Sequence, residues 1–262
     1  MNQTAYTIIG FTIIFVLNAL GSAFVFFFRK DVSLKANTLF LGFAAGVMVA
    51  ASFFSLLLPA FEGADSWGTW SFVPVVVGFL FGGVFLVVLD KIVPHIHFGT
   101  NEEEGLHSSL KKPMKLFFAV MIHNIPEGLA VGFAFGAAAT QNTEAAYLAA
   151  LALSIGIGIQ NFPEGAAVAL PLRGATGSRT KAFGYGTLSG AVEPVFAVIG
   201  YFLAAYLQAA QPWLLAFAAG AMIFVVAEDI IPDAKLEQHP HLGTWGVMAG
   251  FAVMMVLDVV FG

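Results

Sequence analysis

Eight long apolar stretches occupy most of this chain, and each is long enough to cross a lipid bilayer. A membrane helix needs about 20 mostly apolar residues. Stretches of this kind cover residues 5–28, 36–61, 71–93, 114–140, 145–172, 180–208, 211–232 and 242–261. Only 10% of the 262 residues are charged, whereas soluble domains carry roughly 25%. The sequence therefore predicts an all-α polytopic membrane protein, a compact bundle of eight transmembrane helices in a single domain, 1–262.

The basic residues predict how this bundle is oriented. All eleven Lys and Arg residues, from Arg29 and Lys30 onward, lie in or beside connections that would share one side of the membrane. The positive-inside rule makes that side the cytoplasm, so both termini would be extracytoplasmic. The longest connection, about 94–113, would then be a cytoplasmic loop. The first stretch lacks a basic leader and is longer than the apolar core of a typical signal peptide, so we interpret it as a retained span.

Two related polar cassettes interrupt the fourth and fifth stretches. "HNIPEGLAVG" covers residues 123–132, and "QNFPEGAAVA" covers residues 160–169. Ionisable groups inside a bilayer are costly and usually mark a binding site or a pathway. Every candidate group within the stretches is acidic, histidine or amide, which favours a cation and excludes a Schiff-base pigment or a basic voltage sensor. Because the chain has no cysteine, thiolate metal sites and cysteine nucleophiles are also excluded.

The spacing within each cassette places its polar side chains on one face of a helix. At about 100° per residue, Glu127 lies about 40° around the helix from His123 and about 60° from Asn124. The second cassette repeats the arrangement with Gln160, Asn161 and Glu164. Two such helices facing each other would hold two neighbouring cations, bridged by the two glutamates.

Further residues extend this candidate site. Pro126 and Pro163 each remove a backbone N–H, which predicts kinked helices with unwound backbone lining a cavity. Glu193, which precedes a proline in the sixth stretch, offers another carboxylate, and Met48 offers a thioether from the second. Imidazole with carboxylate suits Zn²⁺, Fe²⁺, Mn²⁺ or Cd²⁺, whereas Mg²⁺ and Ca²⁺ prefer all-oxygen sites.

These motifs and their flanks resemble the Zrt-/Irt-like (ZIP) family of divalent-metal transporters, in particular its bacterial GufA-like branch. The similarity covers essentially the whole chain. It includes "GFAAGVMVAASFFSLLLPA" in the second stretch, "LDKIVPHIH" closing the third, both cassettes, "EP" in the sixth and "IIPD" ending the seventh. The resemblance implies eight spans with both termini outside, a location in the cell (inner) membrane, a homodimer, and an elevator-like movement of spans one, four, five and six.

The resemblance also implies a binuclear metal site and a path on either side of it. One metal position would be formed by Met48, His123, Glu127, Gln160 and Glu164. The other would use Asn124, Asn161 and Glu193 with the same two bridging glutamates. The outer entrance would be matched by Glu62 and Asp258, and the cytoplasmic exit by Asp90, His95 and His97.

Two positions depart from the family pattern. Relatives can have Asp where this chain has Asn161, so the second metal position carries one negative charge fewer. The branch often reads His-Glu before "IIP", where this chain has Glu228-Asp229, so an exit ligand that would be imidazole becomes carboxylate. The first difference leaves open whether the second metal position is occupied, and the second leaves open the metal preference and the intracellular regulatory site.

The sequence therefore predicts a transporter that brings Zn²⁺, or the similar ions Cd²⁺, Fe²⁺ and Mn²⁺, into the cytoplasm. It predicts no enzymatic activity, no organic cofactor and no nucleic-acid partner. One alternative is a proton or proton-coupled solute carrier that uses the same carboxylates without a metal. An intramembrane metallohydrolase is disfavoured, because the chain lacks an H-E-x-x-H motif and has only His123 clearly within a stretch.

Overall fold

Eight helical spans make up almost all of the chain. The computed structural model describes residues 2–27, 33–96, 103–236 and 238–261, so Arg29, Lys30 and His97 lie outside the described residues. The spans, numbered one to eight here, are Gln3–Phe27, Leu34–Gly63, Phe72–Ile92, Pro113–Gln141, Glu144–Thr176, Arg179–Tyr206, Gln208–Ala234 and Pro240–Phe261. Each is long and apolar enough to cross a membrane. The predicted all-α polytopic fold with eight spans is confirmed, and the extracytoplasmic position of the termini stays a prediction.

Four of the described spans change helix type or direction along their length. Span one consists of the helices Gln3–Ser22 and Phe24–Phe27, and span six of Arg179–Gly190 and Val192–Tyr206. Span two joins Leu34–Ala51, a π-helical turn Ser52–Leu57 and Leu58–Gly63. Span seven joins a 3₁₀ turn Gln208–Ala210, Gln211–Val225, a π-helical turn Val226–Ile230 and Ile231–Ala234. Such π-helical turns frequently occur at functional sites.

The prediction of unwound backbone at the cassette prolines is wrong. The helices Lys112–Gln141 and Glu144–Thr176 each run continuously through their internal prolines, Pro126 and Pro163. Loss of one N–H donor can be tolerated inside a bundle, because neighbouring helices support the freed backbone groups. The break near the candidate site lies in span six instead, at Ala191 between its two helices.

The spans pack mainly as four pairs, namely four with six, one with five, two with eight and three with seven. Contacts between spans four and five join the first two pairs into one group, and the second two pairs flank that group through spans two, seven and eight. In each pair a glycine lies against a backbone carbonyl of the partner helix, so that a Cβ atom there would overlap it. These glycines are Gly132, Gly165, Gly46 and Gly82. Small residues allow such close approach in membranes, where burial from water does not drive helix association.

The connection between spans three and four folds back on itself near the predicted cytoplasmic end. The two-residue strands His95–Ile96 and Glu103–Glu104 pair antiparallel. Buried Lys115, at the start of span four, donates a hydrogen bond of 2.6 Å to Glu103. This hydrogen bond, together with the charge of the ammonium group, lowers the pKa of the Glu103 carboxyl. The hairpin is thereby attached to span four.

Candidate metal site

A cavity of about 350 Å³ lies beside the two polar cassettes. Its polar lining residues are Asn37, His123, Asn124, Glu127, Glu164, Asp229, Asp233 and Lys235. They come from spans two, four, five and seven and from the residue that follows span seven. Lys235 belongs to the end of the bundle predicted to face the cytoplasm. The cavity therefore extends from the cassette carboxylates toward that side.

Amide-to-carboxylate hydrogen bonds join the cassettes to each other and to span six. Gln160 Nε2 donates to Glu127 Oε1 at 2.6 Å, and Asn161 Nδ2 donates to Glu193 Oε2 at 2.5 Å. The carboxyl group of Glu127 is also within electrostatic reach of those of Glu164 and Glu193. The three glutamates thus belong to one cluster, with the cassette faces turned toward each other.

Five buried oxygen atoms of this cluster have no hydrogen-bond donor within the described part of the chain. They are Glu127 Oε2, Gln160 Oε1, Asn161 Oδ1, Glu164 Oε1 and Glu193 Oε1. A buried polar group without a partner costs about 1–3 kcal/mol, and more when it is charged. Five acceptors gathered in one place without donors fit a positively charged occupant. The donor set, carboxylate and amide oxygen beside an imidazole, suits a divalent transition metal.

The described side chains do not yet form a closed coordination sphere. Among the described residues, no group of three or more His, Cys, Asp and Glu side chains is close enough to hold a metal ion. One oxygen of Glu127 and one of Glu193 are occupied by the amide groups of Gln160 and Asn161. Coordination of a metal by both oxygens of either carboxylate would therefore require these amide groups to release it.

His123 contacts a residue that the sequence grouped with the cytoplasmic exit. Its Nε2 atom lies 3.2 Å from Asp229 Oδ2. This contact joins span four to span seven. Asp229 is buried and lies in the π-helical turn Val226–Ile230, whereas the preceding Glu228 is exposed. The structure thus separates these two neighbouring acids, and it brings only Asp229 to the cavity.

Other predicted residues lie away from the cavity or beside it. Met48 is fully buried in the apolar core and is not among the residues that line the cavity. Asn124 lines the cavity through span four and donates to the carbonyl of Ser189 at 3.1 Å. The expected roles of both residues stay predictions.

The predicted entrance and exit residues lie at opposite ends of the bundle. Glu62 is exposed near the end of span two, and Asp258 accepts a hydrogen bond from Ser55 at 2.9 Å near the end of span eight. At the other end, His95 Nε2 lies 4.0 Å from Asp90 Oδ1, and His95 is almost fully buried. Of the predicted exit residues at this end, His97 lies outside the described residues.

Four polar residues near the cluster were not singled out from the sequence. Asn37, Asp233 and Lys235 line the cavity, and Asn18 is a buried amide in span one. The first three lie at helix ends, where polar residues are ordinary and carry no signal. Asn18 did carry a sequence signal, because a polar amide in the middle of an apolar stretch is energetically costly and usually marks a functional position.

Comparison with known proteins assigns the family. The family model described as ZIP Zinc transporter matches residues 4–115 and 113–258. The chain belongs to the ZIP family. Its relatives include "Zinc transporter ZIP11" of Xenopus tropicalis, which is 38% identical over 98% of this chain and 97% of its own length. "Zinc transporter ZIPB" of Bordetella bronchiseptica is 34% identical over 99% of this chain and 82% of its own length. "Zinc transporter GufA" of Myxococcus xanthus is 37% identical over 89% and 90%.

Family membership confirms the resemblance drawn from the sequence. The chain is a multi-pass membrane transporter and not an enzyme. The metallohydrolase alternative is thereby set aside.

Loss of the Asp229 carboxylate should weaken transport of metal. In Asp229→Asn the cavity loses a negative charge and His123 loses its anionic partner. Supporting groups of this kind typically contribute about 10–100-fold to metal affinity or activity, so we expect the KM for zinc to rise at least about tenfold. The neighbouring Glu228→Gln variant removes an equal charge from an exposed position and should leave the KM within about twofold. Equal effects of the two variants would contradict the assignment of Asp229 to the cavity.

Proposed function

We propose that this ZIP-family protein brings Zn²⁺, or a similar divalent transition metal, into the cytoplasm through a binuclear site between spans four and five. The observation that carries the proposal is the cluster of buried oxygens next to His123 and beside the cavity, which have no hydrogen-bond donor in the part of the chain that the structure describes. The relatives named above are all zinc transporters by name, which supports zinc as the substrate. Cd²⁺, Fe²⁺ and Mn²⁺ remain in the proposed substrate range, because the same ligand types bind them.

The cluster can receive an ion by exchanging hydrogen bonds for metal bonds. Rotation of the Gln160 amide by about 180° exchanges its donor N–H₂ for its acceptor oxygen. Glu127 is then released, and both groups present oxygen atoms to the ion. Asn161 can do the same for Glu193. Glu127 and Glu164 are the proposed bridging ligands, His123 supplies a nitrogen atom at one end, and Met48 is the expected sulfur ligand.

The direction of release follows from the cavity and from the charge pattern. The cavity joins the cluster to Asp229 and Asp233 and ends near Lys235. Because the positive-inside rule places this end in the cytoplasm, we assign the described conformation to a state open toward the cytoplasm. The two packing groups of spans supply a physical basis for the expected elevator-like movement, in which spans one, four, five and six move together. Assembly as a homodimer stays a prediction.

Two measurements on purified protein test the proposal. After treatment with EDTA and reloading, the protein should retain zinc in a stoichiometric amount, approaching two ions per chain at saturation. Proteoliposomes that contain a trapped zinc-sensitive dye should brighten when zinc is added outside, and protein-free vesicles should not. Radioactive zinc should also accumulate in cells that express the chain. A proton carrier without metal retains no stoichiometric zinc, and that result would overturn the proposal.

A further inference from the structure

Asn18 is a buried amide whose side-chain oxygen has no hydrogen-bond donor in the described part of the chain. It lies in span one and is 1% exposed. An unpaired amide oxygen costs about 1–3 kcal/mol when it is buried, and no water is available in the hydrocarbon region to compensate. Asn18 therefore needs a partner from outside the hydrogen-bonding groups that the structure describes.

The backbone of span one is in direct contact with the Asn161–Glu193 pair. The carbonyl of Ile14 accepts a hydrogen bond of 3.4 Å from Asn161 Nδ2, the same nitrogen that donates to Glu193. Asn18 follows Ile14 by four residues, so it lies on the same face of the helix, one turn farther along. Asn18 is therefore about one helical turn from the Asn161–Glu193 pair.

Two glycines bring spans five and six into close contact with Asn18, one against its backbone and one against its side chain. A Cβ atom at Gly165 would overlap the backbone carbonyl of Asn18, so span one lies directly on span five, one turn after Asn161. A Cβ atom at Gly190 would lie 2.6 Å from Asn18 Oδ1. Gly190 is the last residue before the break in span six and precedes Glu193 by three residues. The amide oxygen is therefore packed into the break that positions Glu193.

At this end of the cluster, three buried oxygen atoms have no hydrogen-bond donor among the described residues. They are Asn18 Oδ1, Asn161 Oδ1 and Glu193 Oε1. The opposite end contains the His123 imidazole. All-oxygen donor sets suit Mn²⁺, Mg²⁺ and Ca²⁺, whereas imidazole favours zinc. The two ends of the cluster therefore differ in the cations that they stabilise.

We propose that Asn18 supplies a further oxygen ligand beside Asn161 and Glu193, and that this end of the cluster accepts a hard divalent cation such as Mn²⁺. The inference rests on the proposed function, because it assumes that the cluster binds the transported ions. It adds span one to the groups that contact the substrate.

Binding of Mn²⁺, followed by the loss of its free electron paramagnetic resonance signal, tests this role apart from transport. Protein loaded with one equivalent of zinc should bind about one further Mn²⁺ per chain. Asn18→Leu removes the oxygen at similar volume and should raise the Kd for Mn²⁺ about tenfold, a typical effect of losing a group that supports a metal site. Binding of the first zinc equivalent, at the end of the cluster that contains His123, should fall by less than binding of Mn²⁺. Asn18→Asp keeps an oxygen and adds a charge, so it should bind Mn²⁺ at least as tightly as the wild type.

Ser22→Ala is the matched control. Ser22 lies one turn beyond Asn18 on the same interface and donates to the carbonyl of Gly165 at 3.4 Å. Its removal should leave Mn²⁺ binding unchanged. The inference is overturned if Asn18→Leu binds Mn²⁺ like the wild type, or if it loses Mn²⁺ and zinc to the same extent, as a packing role predicts. If Asn18→Leu does not fold, weakened Mn²⁺ binding by Asn18→Asp overturns it. Wild-type protein that transports zinc and binds no additional Mn²⁺ refutes this inference alone, whereas absence of zinc transport refutes the proposed function.

Discussion

Glu164→Gln should abolish zinc uptake by reconstituted protein while the protein stays folded. Glu164 lines the cavity, and its buried Oε1 atom has no hydrogen-bond donor among the described residues. It is also one of the two carboxylates proposed to bridge both metal positions, so its loss affects both at once. Groups that only support metal ligands contribute up to about 100-fold, and we expect the loss of a bridging ligand to exceed that value.

The measurement is the initial rate of zinc entry into proteoliposomes, with elution from a size-exclusion column as the check on folding. Glu144→Gln is the matched control, because it removes a carboxylate from the first turn of the same span. Glu144 accepts a hydrogen bond from the Tyr6 hydroxyl at 2.9 Å, and an amide oxygen can accept that bond equally well. The control should therefore transport zinc at nearly the wild-type rate. Normal transport by Glu164→Gln would remove the central carboxylate from the proposed mechanism.

The parts of the site that depend on local geometry could be predicted from the sequence. The spacing of His123, Asn124 and Glu127 places them on one helical face whatever surrounds the helix, and all three line the cavity. Glu164 lines the same cavity, whereas the buried Gln160 and Asn161 of its cassette are not among the described lining residues. Helical periodicity fixes such relations within one span.

The relations between spans could not be predicted in the same way. The contact of His123 with Asp229 depends on a π-helical turn in span seven, and its register has no clear sequence signal. The pairing of Asn161 with Glu193 depends on how span six is broken at Ala191. The internal prolines predicted breaks in spans four and five, but both helices are continuous in the folded bundle. Tertiary packing thus decides where the backbone departs from the α-helix.

Gly82→Leu should disrupt the packing of span three against span seven, whereas Gly83→Ala, at the next residue, should be tolerated. A Cβ atom at Gly82 would overlap the carbonyl of Phe217 and lie 2.6 Å from the amide nitrogen of Ala221, and backbone atoms cannot move aside as a side chain can. At Gly83 the nearest atom is Phe224 Cδ2 at 3.6 Å, an ordinary contact.

Comparison of variants at these two neighbouring glycines therefore distinguishes the effect of backbone packing from the effect of helix propensity. Overpacking costs about 1–3 kcal/mol and more when the backbone must shift, so Gly82→Leu should lower the thermal unfolding midpoint in detergent strongly or prevent recovery of folded protein. Gly82→Ala should show a smaller decrease in the same direction. Gly83→Ala gains about 1 kcal/mol of helix propensity without overlap and should match or exceed the wild-type midpoint. Equal destabilisation by the two alanine variants would mean that glycine acts through flexibility, and that close backbone contact does not hold spans three and seven together.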